Sequence, residues 1–217
     1  MELEYRKAVS ELLTVYTDID LLAMELCAAR LPEAPRLEAE LELAEQIREE
    51  RTHYLIQEKR LAELGFPFQR ILPAELLEAI RERFSQMSWF QFLVSLQVGI
   101  EGIGIAIVEK ISEKADPETK ASLVIPIKDE KRQTSFGIRE LRQLIELQSA
   151  DERRETAEQI LALLKELQEL GNHIPVEFEK NWNILGLTKE EVMSAALKRA
   201  EALFEELGLP LPASVAF

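Results

Sequence analysis

Apolar residues recur at three- and four-residue steps along most of this chain. Over residues 3–30, Tyr5, Leu12, Tyr16, Ile19, Ala23 and Leu26 share one stripe, which predicts a helix. Leu31-Pro32-Glu33-Ala34-Pro35 stops it, because proline lacks an N–H and clashes inside a helix. A second helix is predicted from about Arg36 to Gly65, with Leu43, Ile47, Tyr54 and Leu61 on one face. The short link makes the two an antiparallel hairpin. Gly65-Phe66-Pro67 ends the second helix, and residues 66–85 read as a long crossover with a short helix around Glu75–Arg83. A third helix is predicted from about Ser88 to Glu113. The chain then turns at Lys114-Ala115-Asp116-Pro117, with Asp116 as N-cap and Pro117 in the first helical position. A fourth helix follows from about Glu118 to Leu147, with Pro126 a candidate kink.

Hairpin, long crossover, hairpin is the connectivity of ferritin-like four-helix bundles. The expected fold is therefore all-α, a single domain over 1–217 with the core bundle at about 3–147. A C-terminal helical extension occupies about 151–217. In it, Ala150-Asp151 starts a fifth, amphipathic helix reaching about Leu170, and Gly171-Asn172-His173-Ile174-Pro175 breaks it. A last helix spans about Thr188–Leu207, with Thr188 and Glu191 placed for a capping box. The tail from Gly208 is Pro-rich and is expected to dock loosely.

Composition agrees and narrows the function classes. The 217 residues are rich in Glu, Leu, Ala, Arg and Gln, which are good helix formers. A formal net charge of −14 disfavours nucleic acid and anionic lipid as partners, since both need a basic surface. The single cysteine, Cys27, excludes an intramolecular disulfide and Cys-based zinc sites. Its apolar surroundings suggest a buried structural thiol. Trp89–Val108 is long and apolar enough to raise a membrane span, but Gln91, Gln97, Glu101 and three glycines interrupt it. It is better read as a buried central helix. MELEYRK carries no signal-peptide pattern, and a cytoplasmic protein is expected.

The candidate chemistry lies in the helices. Glu50 and His53, three apart on the second helix, project to one side and can ligate one metal ion through carboxylate oxygen and imidazole nitrogen. Such a pair alone is more often a solvated Glu beside an unrelated His. Glu101 is the only ionisable side chain between Met87 and Val108. Burying its charge is costly unless it is paired, hydrogen-bonded or metal-bound. Helix register links these positions. Glu101 lies 15 residues before Asp116 and Glu130 lies 14 after it, so an antiparallel pair holds them at one height. Glu50 lies 16 residues beyond Ala34, and the matching level on the first helix falls near Asp18–Asp20. Asp20 shares a stripe with Tyr16, Ala23 and Cys27 and points inward. Asp18 shares one with Glu11 and Glu25 that reads as a solvated face, although Asp18 and Glu25 stay open as alternatives. Four helices thus each offer a carboxylate at one level.

Here a resemblance enters. A carboxylate on two helices plus Glu-x-x-His on two others is the ligand set of ferritin-like di-iron and di-manganese proteins. Asp129-Glu130-Lys131-Arg132-Gln133-Thr134-Ser135-Phe136-Gly137 resembles the Asp-Glu-x-x-His-x-x-Phe-Gly signature of the bacterial hydroxylase and epoxidase branch, which includes the phenylacetyl-CoA epoxidase subunits. Glu101-Gly102-Ile103-Gly104 is similar to that branch's third-helix ligand segment. The resemblance implies Asp20, Glu50, His53, Glu101, Glu130 and Gln133 as metal ligands, with Asp129 hydrogen-bonding the free ring nitrogen of His53. It implies iron or manganese, two ions at most. Gln133 stands where the family has its second histidine, and a neutral amide is a weaker donor, so one ion or none are the alternatives. His173 is expected in a loop, and Tyr16 and Tyr54 as core aromatics.

Two functional readings follow. One is an oxygenase- or hydroxylase-type oxidoreductase that acts on a small organic substrate and associates as a homo- or hetero-oligomer through helix faces. The other is a non-catalytic ferritin-like scaffold or partner subunit with a degenerate metal site, which Gln133 favours.

Overall fold

The computed structural model describes residues 2–212; the end of the tail, 213–217, lies outside them. Among the described residues the chain forms eight helices and no strand. The helices α1 (Leu3–Arg30) and α2 (Leu37–Leu64) form the first hairpin. Gly65 ends α2 in the left-handed region, φ 88°, which a residue without Cβ adopts freely. The crossover carries α3 (Ala74–Ser85). The second hairpin pairs α4 (Trp89–Lys114) with α5 (Pro117–Ile145). Then come α6 (Ala150–Gly171), α7 (Phe178–Ile184) and α8 (Lys189–Glu206). The fold is the expected all-α, ferritin-like bundle. The short α7 lies in a stretch where no helix was expected; Asn181 ties it to α1 by donating to Glu11 Oε2 at 2.8 Å.

The capping signals act as their chemistry requires. Asp116 accepts from the Thr119 N–H at 3.1 Å, and Thr188 and Glu191 form a reciprocal capping box. Asp116 also knots the bundle end: its N–H donates to the Tyr5 hydroxyl at 2.7 Å, and Arg60 Nη2 donates to its Oδ1, also at 2.7 Å. Pro126 sits inside α5 without ending it.

One element departs from the expectation of a regular helix. Within α4, Val94–Ile103 is π-helical. This wider winding frees backbone carbonyls and commonly marks functional segments. Arg199 of α8 donates to the Gly102 carbonyl at 3.2 Å, meeting one such group. The glycines here allow close approach. A Cβ on Gly99 would stand 2.5 Å from a Leu167 methyl of α6, and one on Gly102 would stand 3.3 Å from Leu203 of α8. The C-terminal helices therefore cover the π segment. By length and composition α4 passes for a membrane span, yet most of its apolar window is buried against these neighbours.

The apolar core is divided. One cluster gathers Leu22, Leu43, Val98, Leu141 and Leu164; the other gathers Leu13, Leu61, Ile111, Leu123 and Trp182. Along α1, α2, α4 and α5, the positions between the two clusters are those of Asp20, Glu50, Glu101 and Glu130. All four are at most 5% exposed.

Candidate metal centre

The inner stripe of α2 sets the centre. Gln46, Glu50, His53, Gln57 and Arg60 follow one another at steps of three and four, and all are buried. This explains why the apolar residues mislead about the inner face. Leu43 and Leu61 are buried as expected, but Ile47 and Tyr54 are only half-buried, because polar side chains hold the middle of the stripe.

Glu50 Oε2 lies 2.9 Å from His53 Nδ1, and His53 Nε2 lies 3.2 Å from Asp129 Oδ2 on α5. The imidazole is thus oriented by a carboxylate on each side, with Asp129 at the ring nitrogen turned away from Glu50. Asp20 approaches from α1. One donor atom from each of Asp20, Glu50 and His53 lies within 4.8 Å of the other two, and all three residues are buried. Asp20 Oδ2 is buried without a hydrogen-bond partner.

The other first-helix candidates have different partners. Asp18 is fully buried, not on a solvated face, because the crossover folds over it. It accepts from the backbone N–H groups of Ile71 and Leu72 at 2.9 and 2.8 Å, and Arg70 Nε lies 3.2 Å away. Glu25 pairs outside with Arg70 and Arg81.

The remaining carboxylates flank this trio. Glu130 on α5 accepts from the Tyr16 hydroxyl, so Tyr16 belongs to the polar layer, not simply to the aromatic core. Glu101, on the π segment, accepts from Gln46 Nε2 at 2.9 Å. Gln133 turns its amide nitrogen to Glu49 Oε2 and Glu50 Oε1, at 3.0 and 2.9 Å. Arg132 holds Glu49 from outside, with Nη2 at 2.7 Å. Gln46 and Gln97, not among the ligands expected from the sequence, are both buried in this network. Gln46 was signalled by its place four residues before Glu50. His173 lies exposed in a turn, and Cys27 is buried. Burial, then the charges of Glu50 and Glu101, push the Cys27 thiol well above its ordinary range.

Electrostatics show what the layer lacks. Burial first, then the charge of Glu50, raises the carboxyls of Asp20 and Glu101 well above their ordinary range. At Glu130, burial outweighs the Tyr16 hydrogen bond and lifts the carboxyl to about 8. At His53, burial opposes the imidazolium. The Glu50 hydrogen bond, the charges of Asp20 and Glu50, and the Asp129 hydrogen bond prevail and raise it to about 9. Four inner carboxylates thus face one imidazole, and the imbalance is met by protons. A divalent cation would meet it instead, and carboxylate oxygen with imidazole nitrogen is a donor set suited to iron or manganese. The unpartnered Asp20 oxygen fits the same conclusion, since a buried acceptor without a donor is costly.

Residues 3–165 match the family model described as "Ferritin-like domain, actinomycetes". A solved structure, "Protein 19 with aldehyde deformylating oxidase activity from Synechococcus", aligns with a TM-score of 0.80 over 97% of this chain and 95% of that one. Sequence identity is 15%, so this likeness speaks for the fold. No curated protein matches the sequence. With three quarters of its length under that model, the chain belongs to the actinomycete ferritin-like domain family.

Proposed function

We propose that the buried layer is a metal centre for iron or manganese, serving an oxidase- or hydroxylase-type oxidoreductase with a small organic substrate. The observation that carries this reading is the convergence of Asp20, Glu50 and His53 with one Asp20 oxygen left unpartnered. In this reading Asp20, Glu50 and His53 hold the ion, Glu130 lies beside them, and Asp129 fixes the imidazole. Such an ion supplies the capacity to activate dioxygen. The chain's own residues do the rest. Tyr16 holds Glu130 in place, and the apolar clusters on either side exclude water. The activity named for the Synechococcus protein supports an oxidative reaction class. The Asp129–Gly137 string favours the phenylacetyl-CoA epoxidase-like branch; no motif selects a substrate.

We also propose a cytoplasmic protein assembled through helix faces; its formal net charge of −14 disfavours nucleic acid and anionic membrane as partners. Leu37 and Leu41, one turn apart and exposed at the start of α2, offer an apolar spot for such an assembly. A second reading, a non-catalytic partner subunit, is favoured by Gln133, whose nitrogen hydrogen-bonds Glu49 and Glu50 where the resembled epoxidase-branch signature has an imidazole.

Elemental analysis of protein expressed with iron and manganese separates the two. Near-stoichiometric metal that is lost in His53→Ala supports the centre. Metal-free protein whose thermal stability ignores chelator overturns it.

A further inference from the structure

We infer that the side-chain amide of Gln46 takes the place of a second metal ion, so that the centre holds one ion, at its Asp20–Glu50–His53 end. This rests on the metal-centre reading above and deepens it.

Three oxygens from three helices converge on Gln46 Nε2: Glu101 Oε1 at 2.9 Å, Glu50 Oε1 at 3.2 Å and Gln133 Oε1 at 3.3 Å. Glu101, Glu50 and Gln133 are three of the six ligands that the resemblance to two-metal ferritin-like proteins implies, and of the three only Glu50 belongs to the Asp20–Glu50–His53 trio. A first-row divalent ion would draw such oxygens to roughly 2.0–2.2 Å. Here an N–H2 group stands at their centre and offers them hydrogen bonds instead.

The rest of the network fixes that amide in place. Gln97 Nε2 donates to Gln46 Oε1 at 2.6 Å, which leaves the Gln46 nitrogen turned to the carboxylates. Gln97 is itself wedged against Gly137, where an added Cβ would stand 2.3 Å from the Gln97 Cβ. Gln133 directs its nitrogen at Glu49 and Glu50, so its oxygen is the only group it can turn to Gln46. The two oxygens of Glu50 are divided accordingly. Oε2 faces His53, at the end with the unpartnered Asp20 oxygen, while Oε1 accepts from both Gln46 and Gln133. One end of the layer lacks a cation; the other is filled by the chain. Gln133, where the resembled signature has a histidine, is then one of three glutamines that fill this end, and a histidine at 133 alone does not create a second ion site.

The test is anaerobic titration of the metal-free full chain with Mn(II), read by equilibrium dialysis and by electron paramagnetic resonance of the loaded protein. The expected result is one Mn(II) per chain with the six-line spectrum of an isolated ion. Two per chain with an exchange-coupled spectrum overturns this inference and leaves the metal-centre reading standing; none overturns both. Gln133→His alone is expected to remain at one. Gln46→Ala/Gln133→His, which empties the oxygen triangle and adds an imidazole, is expected to take the stoichiometry from one Mn(II) per chain to two. If the alanine variant fails to fold, Gln46→Met/Gln133→His keeps the side-chain length without its hydrogen-bonding atoms. A second equivalent in Gln133→His, or none in a folded double variant, overturns the inference.

Discussion

In the proposed centre Asp20 serves ion binding at the expense of the metal-free fold, and Asp20→Asn separates the two effects. In the metal-free protein, Asp20 Oδ2 is buried without a donor, and Glu50 and Glu130 oppose its charge. Leaving a buried acceptor unsatisfied costs about 1–3 kcal/mol. Asparagine removes the charge and directs an N–H2 group at a layer rich in acceptors. The metal-free variant should therefore be more stable by about 2 kcal/mol, or roughly 4–8 °C in a domain of this size. The gain should grow with pH, because the raised Asp20 carboxyl keeps its proton at low pH and loses it as pH rises. With ion the ranking reverses. At a free concentration 100 times Kd, the wild type gains about 2.7 kcal/mol. A variant bound ~100-fold more weakly gains only about 0.4 kcal/mol at that concentration. Differential scanning calorimetry at pH 8, in chelator and in Mn(II), reads both. An Asn variant less stable in chelator, or one keeping the full metal shift, would refute this reasoning.

Four further outcomes are expected. His53→Ala leaves Glu50 and Asp129 without their shared imidazole, so it should cost the metal-free protein about 3–5 kcal/mol by urea denaturation and abolish metal retention. Glu130 and His53 both hold protons more tightly folded than unfolded, at about 8 against 4.5 and about 9 against 6.5. Their stabilisation is complete below the unfolded values and is lost through the folded ones, so the melting temperature of metal-free protein should fall between about pH 5 and 9; a rise across that window would contradict it. Asp18→Ala orphans the N–H groups of Ile71 and Leu72 and should cost about 2–4 kcal/mol while leaving Mn(II) stoichiometry unchanged, unlike any change at Asp20. Gly137→Ala drives a Cβ into the Gln97 stem and should cost about 1–3 kcal/mol, whereas Gly99→Ala meets the terminal methyls of Leu167 and Leu164, which can turn aside, and should cost less by the same measurement.

The bundle was legible because breakers and caps are local chemistry. Pro32 and Pro35, Gly65, and Asp116 with Pro117 each mark a boundary that needs no tertiary information. From those boundaries, register pointed to one height for Glu50, Glu101, Glu130 and a residue near Asp18–Asp20, and the stripe of Tyr16, Ala23 and Cys27 favoured Asp20. What escaped notice depends on packing. Ten residues of π-helix in α4 leave no mark in hydropathy, because the apolar content is the same at either winding. Asp18 looked solvated because its stripe is acidic, and only the fold of the crossover shows its backbone partners. Gln46 and Gln97 are neutral, so charge does not flag them, and Gln97 stood out only as a polar break in an apolar run. They acquire meaning only when Glu101 and Glu50 are seen to converge on one amide nitrogen.

The central claim is tested most directly by diffraction from crystals equilibrated with Mn(II), with anomalous data locating the ion. A single buried peak is predicted, at roughly 2.0–2.3 Å from donor atoms of Asp20, Glu50 and His53, with the Gln46 amide still between Glu50 and Glu101. Crystals with manganese only on the surface, or with none, would contradict it.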